Sequence, residues 1–326
     1  MPTIRRPVVK RRNVEAEDVF YETKITVNGA LERVLNIYSA EGYRNRTIND
    51  YGKYWTEFFQ IIDNRRYISD VITDDFRKYI NVLLRKRGLS PVTVNIRMNA
   101  IRAIFNRLES EGIIEDNPVK PIRKLKTDEQ KVGALTEEQL KRLFAQIDKG
   151  SFAGYRDYCA MLTMLKCGLR INEINALEID DVDFDNNVIM LPGSKNKNRK
   201  NRAVPLSPKV AVELRQLIKE TQEYFGPGIK TVFVNNVGEP LNEDLIRKRM
   251  NKYGNDAGLK GECRFSPHNL RHTFAVRFLK NGGDIRTLAR IMGHSDISTT
   301  QVYLNYSDDD VMSQYKKVDQ IDYLKL

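Results

Sequence analysis

The stretches Ser266-Pro-His-Asn-Leu-Arg-His272 and Gly293-His-Ser-Asp-Ile-Ser-Thr-Thr-Gln-Val-Tyr303 contain all 3 histidines of the chain. Serine followed by proline is typical of a helix start, because the serine caps the first turn and the proline fits inside it. His268 and Arg271 then share one face near the N-terminal end of that helix, which favours an anion. Since a planar guanidinium can donate to two phosphate oxygens at once, the first stretch predicts a phosphate site.

A second arginine stands upstream, directly after an apolar run. Arg170 follows Cys167-Gly-Leu169, and glycine commonly ends a helix, so we expect Arg170 at the exit of a buried helix. Glu173 comes one helical turn later, close enough to share a face with Arg170 and to steady a neighbouring basic group. The spacing therefore predicts a buried helix that delivers an arginine–glutamate pair.

The second stretch is preceded by an amphipathic helix. Residues 284–292 have the apolar spacing of one helix face, and Gly293 closes that helix. Ser298-Thr-Thr-Gln301 has the pattern of a capping box, so Tyr303 is expected in the first turns of a further helix. A tyrosine hydroxyl has a pKa of about 10, and nearby arginines can favour its reactive phenolate form.

Composition narrows the class of protein. A length of 326 residues favours two domains, and 41% hydrophobic residues exclude a disordered chain. A net charge of +11 favours a polyanionic partner. The 3 cysteines form no C-x-x-C pair and are expected to be reduced core residues. No apolar run is long enough to span a membrane, so we expect a cytoplasmic protein without a membrane partner.

Apolar periodicity predicts a mainly α protein with a small antiparallel β-sheet (α+β). The expected organisation is an N-terminal arm, a bundle of four helices, a basic linker, and a second domain with a tail helix, at residues 1–24, 25–118, 119–133 and 134–326. Alternating apolar residues in the second domain predict strands at 182–184, 188–191 and 203–206, with a further short strand at 231–234.

The series Arg170, Glu173, His268-x-x-Arg271, Gly293-His294 and Tyr303 resembles the tyrosine recombinase (phage integrase) family over roughly residues 25–310. The resemblance implies a helical, SAM-like core-binding domain and a C-terminal catalytic domain that together clamp DNA. It implies that Arg170 and Arg271 bind the scissile phosphate while His268 and His294 assist proton transfer. Tyr303 would then attack the phosphate and form a 3′-phosphotyrosyl link, with no metal, cofactor or ATP.

The family also uses a lysine in the turn after the second strand. Half of the ten residues from Gly193 to Arg202 are basic and none is acidic. Lys195 matches the position of the family's general acid best, but the usual Gly-Lys-Gly is absent, so Lys197 stays a competitor. We also expect DNA contacts from basic side chains of this turn and of the N-terminal bundle: Lys197, Arg199, Lys200, Arg202, Arg97 and Arg102.

The sequence is open to three other interpretations at these positions. Tyr306 is an alternative nucleophile, but its distance from His294 fits the family pattern less well than that of Tyr303. The three histidines could form a zinc site, although Arg271 between two of them would repel a cation. The aspartates at 181, 183 and 185 begin like a calcium loop, but Asn186 replaces the required glycine, so a hairpin is favoured.

The sequence as a whole predicts a site-specific recombinase acting on double-stranded DNA. The resemblance implies a homotetramer on two DNA sites, with accessory bending or directionality factors as further partners. The apolar stripe of the tail, residues 311–326, either covers its own domain or docks on a neighbouring subunit. Two alternatives stay open, a type IB topoisomerase-like nicking and closing enzyme and a non-catalytic DNA-binding protein. Integration or excision of a mobile element and resolution of replicon dimers are equally compatible uses.

Overall fold

The computed structural model describes residues 24–63, 65–127, 133–195, 200–263, 265–294, 296–301 and 303. The chain divides into two compact units, Met1–Glu129 and Gln130–Leu326. The described residues are mainly helical and include one small antiparallel sheet. The predicted α+β fold class is therefore confirmed.

The described residues of the N-terminal unit form the four predicted α-helices: α1 Val27–Ala40, α2 Asn45–Ile62, α3 Thr73–Asn81 and α4 Pro91–Ser110. Helix α3 continues into a π-helical turn, Val82–Lys86. Ser90 caps α4 by accepting from the backbone N–H of Thr93, with proline in the first turn. This cap satisfies one of the donors that every helix start leaves without an intrahelical partner.

Aromatic side chains fill the core of this unit. Phe58 stacks on Phe76 with ring centroids 4.9 Å apart, and Phe76 meets the edge of Phe105 at 5.1 Å. Val119 and Ile122 are buried in the same core. Part of the segment expected to be a linker, 119–133, therefore packs with the N-terminal unit because its apolar side chains are covered there.

The C-terminal unit contains eight helices within its described residues: α5 Glu137–Ala145, α6 Phe152–Cys167, α7 Ile171–Asn175, α8 Pro208–Phe225, α9 Glu243–Asp256, α10 Pro267–Lys280, α11 Ile285–Met292 and α12 Ser298–Gln301. Thr136 and Gln139 form the predicted capping box at the start of α5. Helix α6 is buried along most of its length and packs against α8 and α10. Cys159 and Cys167 are buried in it, as predicted for core residues, whereas Cys263 is only partly buried. Burial raises the pKa of Cys167 to about 11.

The sheet has the antiparallel order β1-β2-β3, with strands Val182–Asp183, Val188–Leu191 and Arg202–Pro205. Ile189 lies opposite both Val182 and Val204, and all three are buried. The predicted strand at 231–234 is wrong. Its two ends form isolated bridges to different partners, one to residue 178 and one to residue 240, so no ladder extends between them.

The described residues contain no helix long and apolar enough to cross a membrane. They also contain no group of three histidine, cysteine or acidic side chains placed to hold a metal ion. Asp183 accepts hydrogen bonds from the backbone N–H groups of Asp185 and Asn186. These aspartates therefore form the tight turn of the β1–β2 hairpin, as favoured from the sequence.

Candidate active site

Arg170 lies at the junction of α6 and α7. Helix α6 ends at Cys167, and Gly168 adopts the left-handed conformation with φ 69°. A Cβ atom at Gly168 would stand 2.4 Å from the ring of Phe274 on α10. Glycine is therefore required twice, by its backbone conformation and by the close approach of α10. The turn places Arg170 at the N-cap of α7, at the exit of the buried helix as predicted.

Glu173 is buried, with 1% of its surface exposed. Its carboxylate accepts from the Arg170 backbone N–H at 2.8 Å and from Arg170 Nη1 at 3.0 Å. It also accepts from Arg202 Nη1 at 2.9 Å and Arg202 Nη2 at 2.6 Å. Burial opposes ionisation, but Arg202 and then Arg170 hold the pKa of Glu173 below its usual value. The carboxylate is therefore an ionised bridge between two arginines.

The C-terminal end of α11 is the point where three arginines meet. Arg202 Nε donates to the carbonyl of Ile291 at 3.0 Å, and Arg271 Nη2 donates to Met292 at 2.6 Å. Arg170 Nη2 donates to the next carbonyl, that of residue 293, at 3.3 Å. Three successive carbonyls thus each accept a hydrogen bond from a different guanidinium. These carbonyls lie at the C-terminal end of α11, which is the negative end of the helix dipole. This arrangement brings the α6–α7 junction, β3 and α10 to one place.

Arg271 is buried, with 3% of its surface exposed. Its hydrogen-bond partners among the described residues are the carbonyls of Gly168 and Met292 and a ring nitrogen of His294, none of which is a carboxylate. Burial and the charge of Arg170 lower the pKa of Arg271 to about 9, so it stays charged at neutral pH. A buried, charged guanidinium without an acidic partner is suited to an anionic ligand.

His294 follows the left-handed residue Gly293, which ends α11 with φ 63°. Its Nε2 lies 3.3 Å from Arg271 Nη2, and its Nδ1 lies 2.8 Å from the hydroxyl of the buried Thr300. Because a guanidinium can only donate, Nε2 accepts, and the ring proton sits on Nδ1 and is donated to Thr300. Burial and the charge of Arg271 lower the pKa of His294 to about 4. The imidazole is therefore neutral at neutral pH.

Tyr303 lies beside the histidines and is 9% exposed. Its ring centroid is 5.1 Å from that of His272 and 6.2 Å from that of His294. Burial raises the pKa of Tyr303, while Arg271 and Arg170 act in the opposite direction. Helix α12 covers Ser298–Gln301, and Tyr303 itself has 3-10 helical geometry.

His268 is exposed in the first turn of α10. Burial lowers the pKa of the neighbouring His272, and His268 contributes to that effect. His268 also contributes to the lowered pKa of His294, behind burial and the arginines. His268 therefore lies on the exposed face of the first turn of α10, three residues before the buried Arg271.

Lys195 ends a short 3-10 turn after β2. Its Nζ contacts Asp181 at 2.6 Å and Glu178 at 2.8 Å. Burial opposes the charge, but the two carboxylates raise the pKa of Lys195 above its usual value. The competing Lys197 and the basic Arg199 lie outside the described residues, so the choice between the two lysines stays open.

The other basic side chains predicted to contact DNA make contacts within their own unit. Arg97 pairs with Glu57 and lies over the ring of Tyr54, with its guanidinium carbon 5.7 Å from the centroid. Arg102 Nη2 donates to the carbonyl of Ile122 at 2.7 Å. Lys200 is exposed. Their contacts with DNA stay predictions.

The position of Arg202 differs most from the expectation based on sequence. A run of basic residues suggested a DNA contact, but only 7% of its side chain is exposed, and it pairs with Glu173. The strand pattern contained the missing signal. Residues two apart in a strand point to the same face, so Arg202 shares the face of the buried Val204.

The geometry places buried, charged arginines beside a neutral histidine and a tyrosine, an arrangement suited to an anionic ligand. Comparison with known proteins agrees: residues 134–309 match the phage integrase family, and residues 31–115 match the SAM-like N-terminal domain of phage integrases. The chain therefore belongs to the phage integrase family, whose members are tyrosine recombinases. The resemblance predicted from the sequence is confirmed, and the enzyme is a site-specific DNA recombinase, which disfavours the nicking-closing and non-catalytic alternatives.

Individual relatives cover most of the chain. Tyrosine recombinase XerC of Chlamydia caviae is 31% identical over 72% of this chain and 73% of its own length. The Tn1549 transposon integrase in complex with circular-intermediate DNA has a TM-score of 0.71 at 22% identity, covering 90% of this chain and 99% of that one. A lambda integrase tetramer bound to a Holliday junction has a TM-score of 0.69 at 16% identity, covering 88% and 83%. At these identities the two solved structures support the fold alone.

Proposed function

We propose that Tyr303 cleaves one DNA strand by attacking a scissile phosphate held by Arg170 and Arg271. A bond forms between the phenol oxygen and phosphorus while the bond to the 5′-oxygen breaks. The tyrosine loses its proton, the leaving oxygen gains one, and the bond energy is kept in a 3′-phosphotyrosyl link. The observation that carries the proposal is the meeting of Arg170, Arg271, His294 and Tyr303 around the end of α11.

The two arginines supply preorganised positive charge. A phosphodiester with one negative charge gains a second in the pentavalent transition state, so fixed cations stabilise the transition state more than the ground state. Arg271 and Arg170 are held by backbone carbonyls before DNA arrives. Little reorganisation is then needed when the phosphate binds.

The two histidines take part in proton transfer in this scheme. His294 is neutral, and the hydrogen bond to Thr300 fixes its orientation beside the ring of Tyr303. His268 is exposed at the helix start, where a bound phosphate would meet it. We assign both to assisting removal of the tyrosine proton and holding the transition state.

The leaving 5′-oxygen needs a proton, and Lys195 or Lys197 supplies it. In its present contacts Lys195 is held by two carboxylates, which makes it a weaker acid than a free lysine. Lys195 can therefore act only after DNA binding releases it from Glu178 and Asp181. If it stays held, the role passes to Lys197.

DNA contacts outside the site are proposed for the basic side chains of both units. A net charge of +11 supports binding to the DNA backbone. We assign such contacts to Lys197, Arg199 and Lys200 in the β2–β3 connection and to Arg97 and Arg102 on α4. Arg202 is not assigned a DNA contact, because its side chain pairs with Glu173.

Assembly is proposed by analogy with lambda integrase, which is a tetramer on a Holliday junction in one solved structure. We propose a homotetramer on two DNA duplexes in the cytoplasm, in which the tail after residue 310 docks on a neighbouring subunit. The tail lies outside the described residues. Truncation after Asp310 should keep DNA binding but abolish cooperative assembly on native gels, and unchanged assembly would contradict tail docking.

Two biological uses fit a site-specific recombinase of this family. The relatives include both Xer recombinases and a transposon integrase. We propose either movement of a compact mobile element or resolution of replicon dimers, with accessory DNA-bending or directionality proteins as possible partners. Recombination assays on the DNA that flanks the gene would distinguish the two uses.

Covalent trapping tests the proposed chemistry. A nicked suicide duplex loses a short fragment after cleavage, so the covalent intermediate cannot reseal. Wild type and Tyr306→Phe should give a DNA-linked band on a denaturing gel, while Tyr303→Phe should bind the duplex without forming the band. A band that survives in Tyr303→Phe and disappears in Tyr306→Phe would move the nucleophile.

A further inference from the structure

We infer that Arg202 is a positioning residue that neutralises Glu173, so that the charge of Arg170 stays available, beside that of Arg271, for the scissile phosphate. The inference rests on the proposed function, since it concerns the same phosphate site. It assigns to Arg202 a role different from the DNA contact expected of a basic residue in this connection.

The hydrogen bonds of Arg202 carry the inference. Each of its three nitrogens donates to a protein oxygen: Nε to Ile291 at 3.0 Å, and Nη1 and Nη2 to the two oxygens of Glu173 at 2.9 and 2.6 Å. Only 7% of the side chain is exposed. A bidentate pair of this kind fixes the carboxylate in direction as well as in charge.

The charges around Glu173 show what Arg202 contributes. Glu173 is the only carboxylate that pairs with either Arg170 or Arg202 in the described part of the chain. With Arg202 present, the carboxylate is matched by a guanidinium whose three nitrogens all donate to protein oxygens. Without Arg202, Arg170 would be the sole counterion of a buried carboxylate, and one of the two phosphate-binding charges would be cancelled.

The C-terminal end of α11 packs closely against Arg202, which is paired with Glu173. A Cβ atom at Gly293 would stand 3.0 Å from both Cδ and Nη1 of Arg202, and Gly293 has φ 63°. The carbonyl of the same glycine accepts from Arg170. The side chain of Arg202 thus lies between β3 and the C-terminal end of α11. It packs against Gly293, the residue that precedes His294.

Two other roles are possible for a buried arginine, and each makes a different prediction. A fold staple would slow cleavage only by reducing the amount of folded protein, so each variant would cleave at the wild-type rate wherever thermal stability shows it to be folded. A DNA contact would weaken duplex binding and reduce the dependence of affinity on salt by about one phosphate. A positioning role predicts normal DNA binding with slow cleavage, relieved when Glu173 loses its charge.

The test compares Arg202→Gln, Arg202→Lys, Glu173→Gln and the double variant Glu173→Gln/Arg202→Gln on the nicked suicide duplex. The single-turnover rate of covalent complex formation is measured at saturating protein, together with duplex affinity at several salt concentrations and thermal stability. We expect Arg202→Gln to slow cleavage about 100-fold, the scale of losing one preorganised donor, with affinity and salt slope unchanged. The double variant should recover at least about 10-fold of that loss.

Each outcome decides the question. A double variant as slow as Arg202→Gln, or slower, would overturn the inference, as would a reduced salt slope. If Arg202→Gln does not fold, Arg202→Lys takes its place: retained charge predicts cleavage within about 10-fold of wild type, and a loss as large as 100-fold would contradict the charge argument. Failure of the proposed function would look different, because wild type itself would then form no covalent complex through Tyr303.

Discussion

Acidification should destabilise the C-terminal unit through His294. Burial and the charge of Arg271 lower the pKa of His294 from its ordinary value of 6.5 to about 4. Between these two pH values His294 is protonated in the unfolded chain but not in the folded protein. The free energy of unfolding therefore rises with pH in that range. The stability that depends on a neutral His294 is fully present above pH 6.5 and is lost as the pH falls toward 4.

The size of the effect follows from the difference between the two pKa values. One pKa unit corresponds to about 1.4 kcal/mol, which gives roughly 3 kcal/mol for a fully buried group. His294 is only partly buried, and solvent screening reduces the expected loss to about 2 kcal/mol. Carboxylates titrate in the same range, so the histidine must be isolated by comparison with a variant.

The assay is urea unfolding of wild type and His294→Gln at pH 7 and pH 4.5, followed by circular dichroism. Glutamine can accept from Arg271 and donate to Thr300, but it has no proton to gain. Wild type should lose about 2 kcal/mol more than the variant between the two pH values. Equal losses in both proteins would refute the assigned protonation state of His294.

Two further predictions concern the turn after α6 and the general acid. Gly168→Ala should lower the free energy of unfolding by about 3 kcal/mol, because a left-handed backbone and a contact 2.4 Å from Phe274 both oppose a side chain. The control Gly88→Ala has a similar φ of +62° but open space, and should cost about 1 kcal/mol; equal losses in urea titrations would contradict the steric argument. Lys195→Ala and Lys197→Ala should both slow cleavage, but a 5′-thio leaving group, which needs no acid, should rescue only the lysine that donates the proton; rescue of neither would exclude both.

Local sequence signals predicted much of the fold. Ser90 and Ser266 each cap the helix that their Ser-Pro pair predicts, because a cap involves only residues a few positions apart. The glycine that ends α11 was predicted for the same reason. The strand at 231–234 failed because an apolar run does not say whether a continuous partner is available.

The sequence proposes members of the site but not the contacts between them. Spacing selects the arginines, histidines and Tyr303 as candidates, whereas the three guanidiniums at successive carbonyls of α11 come from segments far apart in sequence. A basic run likewise could not show that Lys195 turns toward Asp181. These contacts depend on tertiary packing, which periodicity does not encode.

Locating the covalent bond in the trapped complex would show whether Tyr303 becomes joined to DNA. Wild-type protein trapped on the suicide duplex would be digested with nuclease and trypsin, and the nucleotide-bearing peptide would be fragmented in a mass spectrometer. We expect a nucleotide attached to Tyr303 and an unmodified Tyr306. Attachment to Tyr306, or to any other residue, would contradict this expectation.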